Sequence, residues 1–165
     1  MAETPETILA QWSALVEGLQ WSPKDFYGSV EQAIGRRHLP DIFISRVNYA
    51  EGGPFSPKRE YLRVMRKDHI FDICGAPFGT GFFFSSWLGE RPHGCLGILF
   101  LIPVLNILLG ILRRETYYKY DTAMMFQESV HSAVLEVVDQ LTSAKGVRTL
   151  SELERKPVMR NFLRR

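Results

Sequence analysis

Apolar residues recur at helical spacing along the first twenty positions. Ile8, Leu9, Trp12, Leu15, Val16 and Leu19 fall at i, i+1, i+4, i+7, i+8 and i+11, one continuous stripe. Thr4 and Pro5 suit an N-cap and first turn, and Glu6 is favourable against the helix dipole. A second start signal follows at Ser22-Pro23, with Asp25 at the third helical position in the manner of a capping box. Phe26, Tyr27, Val30, Ala33 and Ile34 supply its apolar face, and Gly35 suits its end. The pattern predicts an N-terminal helical hairpin.

Beyond Arg36-Arg37-His38 and Pro40 the period changes from about 3.6 to 2. Ile42, Ile44, Arg46 and Asn48 alternate with Phe43, Ser45, Val47 and Tyr49. The loop Glu51 to Lys58 holds two Gly and two Pro, and Tyr61 to Arg66 reads as the next strand. Lys67-Asp68 forms a tight turn into a third strand, His69 to Cys74. GAPFGTG, Gly75 to Gly81, is a turn cluster before the aromatic run Phe82 to Leu88. These connections are too short for crossovers, so the strands form an antiparallel meander. Glu115 to Tyr120 reads as a fifth strand, with Asp121 or Thr122 capping a long amphipathic helix. Phe126, Val130, Val134, Val137 and Leu141 form that helix's apolar face, and Gly146 ends it. Thr149 and Glu152 suggest a capping box for a short terminal helix interrupted by Pro157. The expectation is one α+β domain over residues 1–165, with a meander of four to five strands and a basic tail from 147 to 165.

One stretch breaks the alternation. Residues 94–112, GCLGILFLIPVLNILLGIL, carry no charge over nineteen positions, and thirteen of those are Leu, Ile, Val or Phe. As a helix the stretch would be about 28 Å long, the thickness of a bilayer's hydrocarbon core. Leu96, Ile98, Leu99, Phe100, Leu101 and Ile102 precede Pro103. Val104, Leu105, Ile107, Leu108, Leu109, Ile111 and Leu112 follow it, and Arg113 and Arg114 close the stretch. These thirteen residues supply roughly −4 to −8 kcal/mol of insertion free energy. Pro103 stands at the midpoint, where it can break a helix and turn a span into a shallow hairpin. A plain span would place the two flanks on opposite sides of the membrane and separate the meander from the elements that complete it. The alternative is a helix packed inside a soluble domain, binding a hydrophobic ligand or joining an oligomer.

Composition narrows the function less than the pattern does. The 165 residues are 45% hydrophobic and 23% charged, with a net charge of +2, too small to imply nucleic acid. Most of the basic excess lies at the end, in LERKPVMRNFLRR, a mixture suited to anionic lipid or to docking a protein. The N-terminus lacks the basic and apolar regions of a signal peptide, so a cytoplasm-facing globular part with reduced thiols is expected.

Candidate chemistry is sparse. GAPFGTG lacks the lysine and following helix of a phosphate loop. His38, His69, His93 and His131 lie in separate elements without metal-ligand spacing to one another or to Cys74 and Cys95. Cys74 with His69 as a nucleophile pair, or Glu128 with His131 as an acid–base pair, read more simply as a buried thiol and a solvated helix face. No catalytic group, metal or cofactor is expected. The reading is a non-enzymatic adaptor at the membrane, its partners lipid and an unidentified protein, with self-association open. The dense aromatic run, with Phe82, Phe83, Phe84 and Trp87, is its candidate docking surface.

Overall fold

The structure, a computed structural model, describes residues 7–50, 56–90 and 116–159. Among these residues, a six-stranded sheet in the order β2-β3-β4-β5-β1-β6 carries two helices on one face. Every described strand pair is antiparallel. The class is α+β, as expected, but the arrangement of its ends is not.

The first element is a strand, β1 (Thr7–Glu17), and not the first helix of a hairpin. It pairs with β5 (Gly81–Glu90), from Thr7 opposite Glu90 to Glu17 opposite Gly81. The stripe misled because a spacing of four belongs to both periods: Trp12 and Val16 share one side of a strand as well as of a helix. A bulge between Ile8 and Ala10 buries both Leu9 and Ala10, while Ile8 and Leu15, each one half of an adjacent apolar pair in the helical reading, are exposed.

Helix α1 (Pro23–Gly35) follows the sequence pattern closely. The Ser22 hydroxyl accepts the Asp25 N–H at its cap, Pro23 occupies the first turn, and the five expected apolar residues are buried. Strands β2 (Ile42–Ala50), β3 (Lys58–Arg66) and β4 (His69–Phe78) complete the meander. β4 runs four residues past Cys74, so the turn to β5 shrinks to Gly79 and Thr80, with Gly79 at φ +58°. Gly75 is therefore a strand residue. A Cβ there would stand 2.4 Å from Cδ1 of Phe26, so only glycine lets α1 lie this close to the sheet.

The β3–β4 ladder extends only from Leu62 to Arg66, opposite Ile73 to His69. Where the strands part, the Tyr27 hydroxyl enters. It donates to the Glu60 carbonyl at 2.7 Å and accepts the Gly75 N–H at 3.2 Å. Burial pushes its pKa up, so the donated proton stays on the ring oxygen.

Helix α2 (Tyr117–Lys145) starts where a fifth strand was expected. The Thr116 hydroxyl accepts the Lys119 N–H at 3.3 Å and caps it, rather than Asp121 or Thr122. Both sides of β5 already have partners, in β4 and β1, which leaves Tyr117 to Tyr120 no ladder beside it. The predicted apolar face holds: Phe126, Val130, Val134, Val137 and Leu141 are buried, and Gly146 ends the helix at φ +64°. They pack with α1 against the inner sheet residues Trp12, Val64, Phe71, Ile73, Phe82 and Phe84 in one hydrophobic core.

The terminal helix is replaced by a single turn and a short strand. Ser151 and Glu154 cap each other reciprocally, at 2.8 and 3.4 Å, in place of Thr149 and Glu152. After Pro157, β6 (Val158–Met159) pairs with Gln11 and Ala10 on the edge of β1.

Candidate functional site

The sequence's candidate catalytic groups do not assemble. His69 pairs across the ladder with Glu90 and stands 6.4 Å from the Phe126 ring. Cys74, an odd number of positions away on the same strand, belongs to the other side; burial pushes its thiol pKa up and keeps it protonated. Glu128 lies exposed on α2, where it accepts from the Ser132 hydroxyl at 3.4 Å. His131 instead turns inward. Its Nε2 meets the Arg155 carbonyl at 2.7 Å, so the proton sits on Nε2, and Nδ1 is buried without a hydrogen-bond partner among the described residues. The ring stands edge-on to Trp12 at 5.1 Å, and the Trp12 Nε1–H donates to the Glu154 carbonyl at 2.6 Å. Two consecutive carbonyls thus tie the C-terminal turn to α2 and β1. Among the described residues, no group of three His, Cys, Asp or Glu side chains converges to hold a metal ion.

The aromatic run divides between two faces. Phe82 and Phe84 are fully buried against Phe26, at ring distances of 6.1 and 5.0 Å, and offer nothing to a partner. The correction follows from strand alternation, which sends every second side chain inward. Phe83 is half-buried on the outer face, and Trp87 is 36% exposed there. Trp87 borders a shallow groove of about 200 Å³ with Gln11, Ser13, Leu153 and Val158. Leu153 and Val158 are exposed and belong to the C-terminal segment, so the groove unites parts of the chain far apart in sequence. Short-range patterning had no means of joining them.

The centre of the outer face holds a polar cluster that alternation alone did not reveal. Arg63 and Asp72 face each other across the ladder and pair through two bonds of 2.7 Å, Nε to Oδ1 and Nη2 to Oδ2. Tyr49 donates to Asp72 Oδ2 at 2.8 Å and also meets the Arg63 guanidinium. The two charged side chains are only 6% and 4% exposed. The carboxylate beside it raises the Arg63 pKa and holds the charge in place.

A third region lies at one end of the sheet. β5 ends at Glu90, opposite His69, while β1 begins beside it at Thr7. α2 reaches the same end, because Phe126 packs on His69 and on Phe71, 6.2 Å away. Farther along α2, Glu136 pairs with Arg36 and Arg37, and Lys145 lies over the Trp21 ring. The helix therefore runs inward from this end, and its first residues lie outermost. None of Tyr117 to Thr122 is buried.

The remaining site residues, Leu96 to Leu112 with Arg113 and Arg114, lie outside the described residues. Among those described, no helix is long and apolar enough to cross a membrane. No protein family, curated protein or solved structure matches the chain.

Proposed function

We propose that this protein is a non-enzymatic adaptor. Residues 94–112 hold it at the cytoplasmic face of a membrane, and its α+β domain recruits a protein partner there. One observation carries the reading of its topology. The parts of the chain before and after the apolar stretch share a single core, with Phe126, Val130, Val134 and Val137 of α2 packed on Phe71, Ile73 and Phe84 of the sheet. A single crossing by 94–112 would put these two groups in different compartments and expose both apolar surfaces. Entry and return on the same side keeps the core intact, and the sequence has a residue able to break a helix, Pro103, at the midpoint of the stretch. The partner surface is the groove around Trp87, bordered by exposed Leu153 and Val158.

Fractionation with protease protection tests the proposal. The full chain is expected in the membrane fraction, detergent being needed to release it. In sealed vesicles, sites in 7–90 and in 116–159 are expected to be cut from the same side. Protection of one part only would sink the adaptor topology, and recovery without detergent would sink membrane attachment. The second outcome would favour a soluble oligomer or hydrophobic-ligand domain, a reading supported by Leu15 and Phe43 lying exposed on the sheet's outer face.

A further inference from the structure

We infer that the outward face of the first turns of α2 is a lipid-headgroup seat, resting on the membrane reading above. Tyr117, Tyr118, Asp121, Met124 and Met125 fall at i, i+1, i+4, i+7 and i+8, one stripe on a helix. All five are exposed, Tyr117 to 86%, Tyr118 to 77% and Met125 to 61%. The buried positions of the same turns, Ala123, Phe126 and Gln127, lie on the other side. This half of α2 therefore carries large apolar side chains away from the core as well as toward it, with Asp121 the one charged member of the outer stripe. A helix lying on a globular domain has one apolar stripe, and the second one needs an occupant.

The occupant follows from where the apolar stretch begins and ends. The chain leaves the sheet at Glu90 and returns at Thr116, and α2 carries that return to the same end of the domain, at His69. Only Arg113, Arg114, Glu115 and Thr116 separate Leu112 from the first exposed tyrosine. If 94–112 enters a bilayer, this end of the domain is held within a few residues of its surface. Tyrosine has an apolar ring and a polar tip, which suits it to the headgroup layer, where basic residues flank it. Lys119 lies in the same first turns of α2, and Arg113 and Arg114 precede it in the sequence. Asp121, exposed within the stripe, limits the seat to the headgroups and keeps it out of the acyl core. The sheet then stands with its Lys67-Asp68 turn toward the membrane and its Gly79-Thr80 turn away from it.

Site-directed probes on the full chain test this. An environment-sensitive dye is placed at Tyr118→Cys or, as control, at Phe78→Cys, in a Cys95→Ser chain; Cys74 is buried and leaves no competing exposed thiol among the described residues. Phe78 is 69% exposed at the far end of the sheet, so both sites are open in the unbound chain. On phosphatidylcholine vesicles with a headgroup-attached quencher, the dye at 118 is expected to shift to the blue and be quenched. The dye at 78 is expected to do neither. Protein that floats with the vesicles while the dye at 118 stays water-like and unquenched would overturn the seat and leave the membrane reading standing. The same holds if 78 is quenched as strongly as 118. Protein that fails to float at all would overturn both. Tyr117→Ser/Tyr118→Ser, which touches no buried residue, is expected to keep the fold and lose protection of the α2 N-terminus from protease on vesicles; unchanged protection counts against the seat.

Discussion

The two faces of the sheet solve the same problem by different means. The inner face is built from Phe71, Ile73, Phe82, Phe84 and their neighbours, and two helices cover it. The outer face buries the Arg63–Asp72 pair at its centre, held with Tyr49, and leaves Phe43, Leu15 and Trp87 exposed around it. Packing on the inner face is non-directional, so side chains of similar volume can substitute for one another at modest cost. The outer cluster is directional, and each member is useful only while the others are present. The inner face therefore tolerates exchange of residues of similar volume, whereas the outer one depends on a single arrangement.

The sharpest way to break this contrast is to remove one charge from the cluster. Asp72→Ala leaves the Arg63 guanidinium buried without its carboxylate and is expected to cost about 3–5 kcal/mol in urea unfolding. Replacing both partners with apolar residues, Arg63→Met with Asp72→Leu, is expected to recover most of that loss. If the double variant is as unstable as the single one, directionality is not what holds the outer face. On the inner face Gly75→Ala drives a methyl into the Phe26 ring, with an expected loss of about 1–3 kcal/mol. Phe26→Leu in the same chain should relieve part of it.

Acid should act through buried histidine. Burial lowers the pKa of His131 below its ordinary 6.5, against the opposing pull of the Arg155 carbonyl and Glu128, and burial likewise lowers that of His69. The unfolded chain therefore takes up these protons first. Stability is full above about pH 6.5 and falls as the pH drops toward the folded-state values. Unfolding midpoints measured from pH 8 to pH 5 should show this slope, and His131→Gln should flatten it. The Glu154 carboxyl, held at about 2 by the Ser151 N–H and then Arg148, adds nothing to the slope in that range. Smaller still, Ser22→Ala should cost about 1 kcal/mol through the lost cap of α1. Smallest of all, Arg36→Ala opens an exposed pair with Glu136 and should change stability by no more than about 1 kcal/mol. A larger effect would mean that the α1–α2 contact depends on surface charge.

Local signals proved legible where they were self-contained. The Ser22 cap and apolar face of α1, the four meander strands after Pro40, and the valines of α2 with Gly146 could all be read within a few turns or a few alternations. The errors fell where a distant partner decides. Thr7 to Glu17 is a strand because β5, more than sixty residues later, offers it a full ladder. Thr116 opens a helix because no strand edge was left beside β5. The residues of the candidate docking surface fell on two faces for the same kind of reason. Alternation separates Trp87 from Phe82 and Phe84, but Leu153 and Val158 reach Trp87 only through the return of the C-terminal segment. The Arg63–Asp72 pair depends on register across the Lys67-Asp68 turn, which fixes which charge faces which.

The strand order also sets a timetable for synthesis. β2 to β5 are joined by neighbours and can zip together as they leave the ribosome, whereas β1, made first, must wait for β5. α2 comes later still, after the apolar stretch. Between those moments Phe82 and Phe84 stand on a sheet only half covered, next to nineteen uncharged residues with no place yet to go. The newborn chain is at its most adhesive just before the helix that closes it appears, and a slow passage through 91–115 would prolong that exposure.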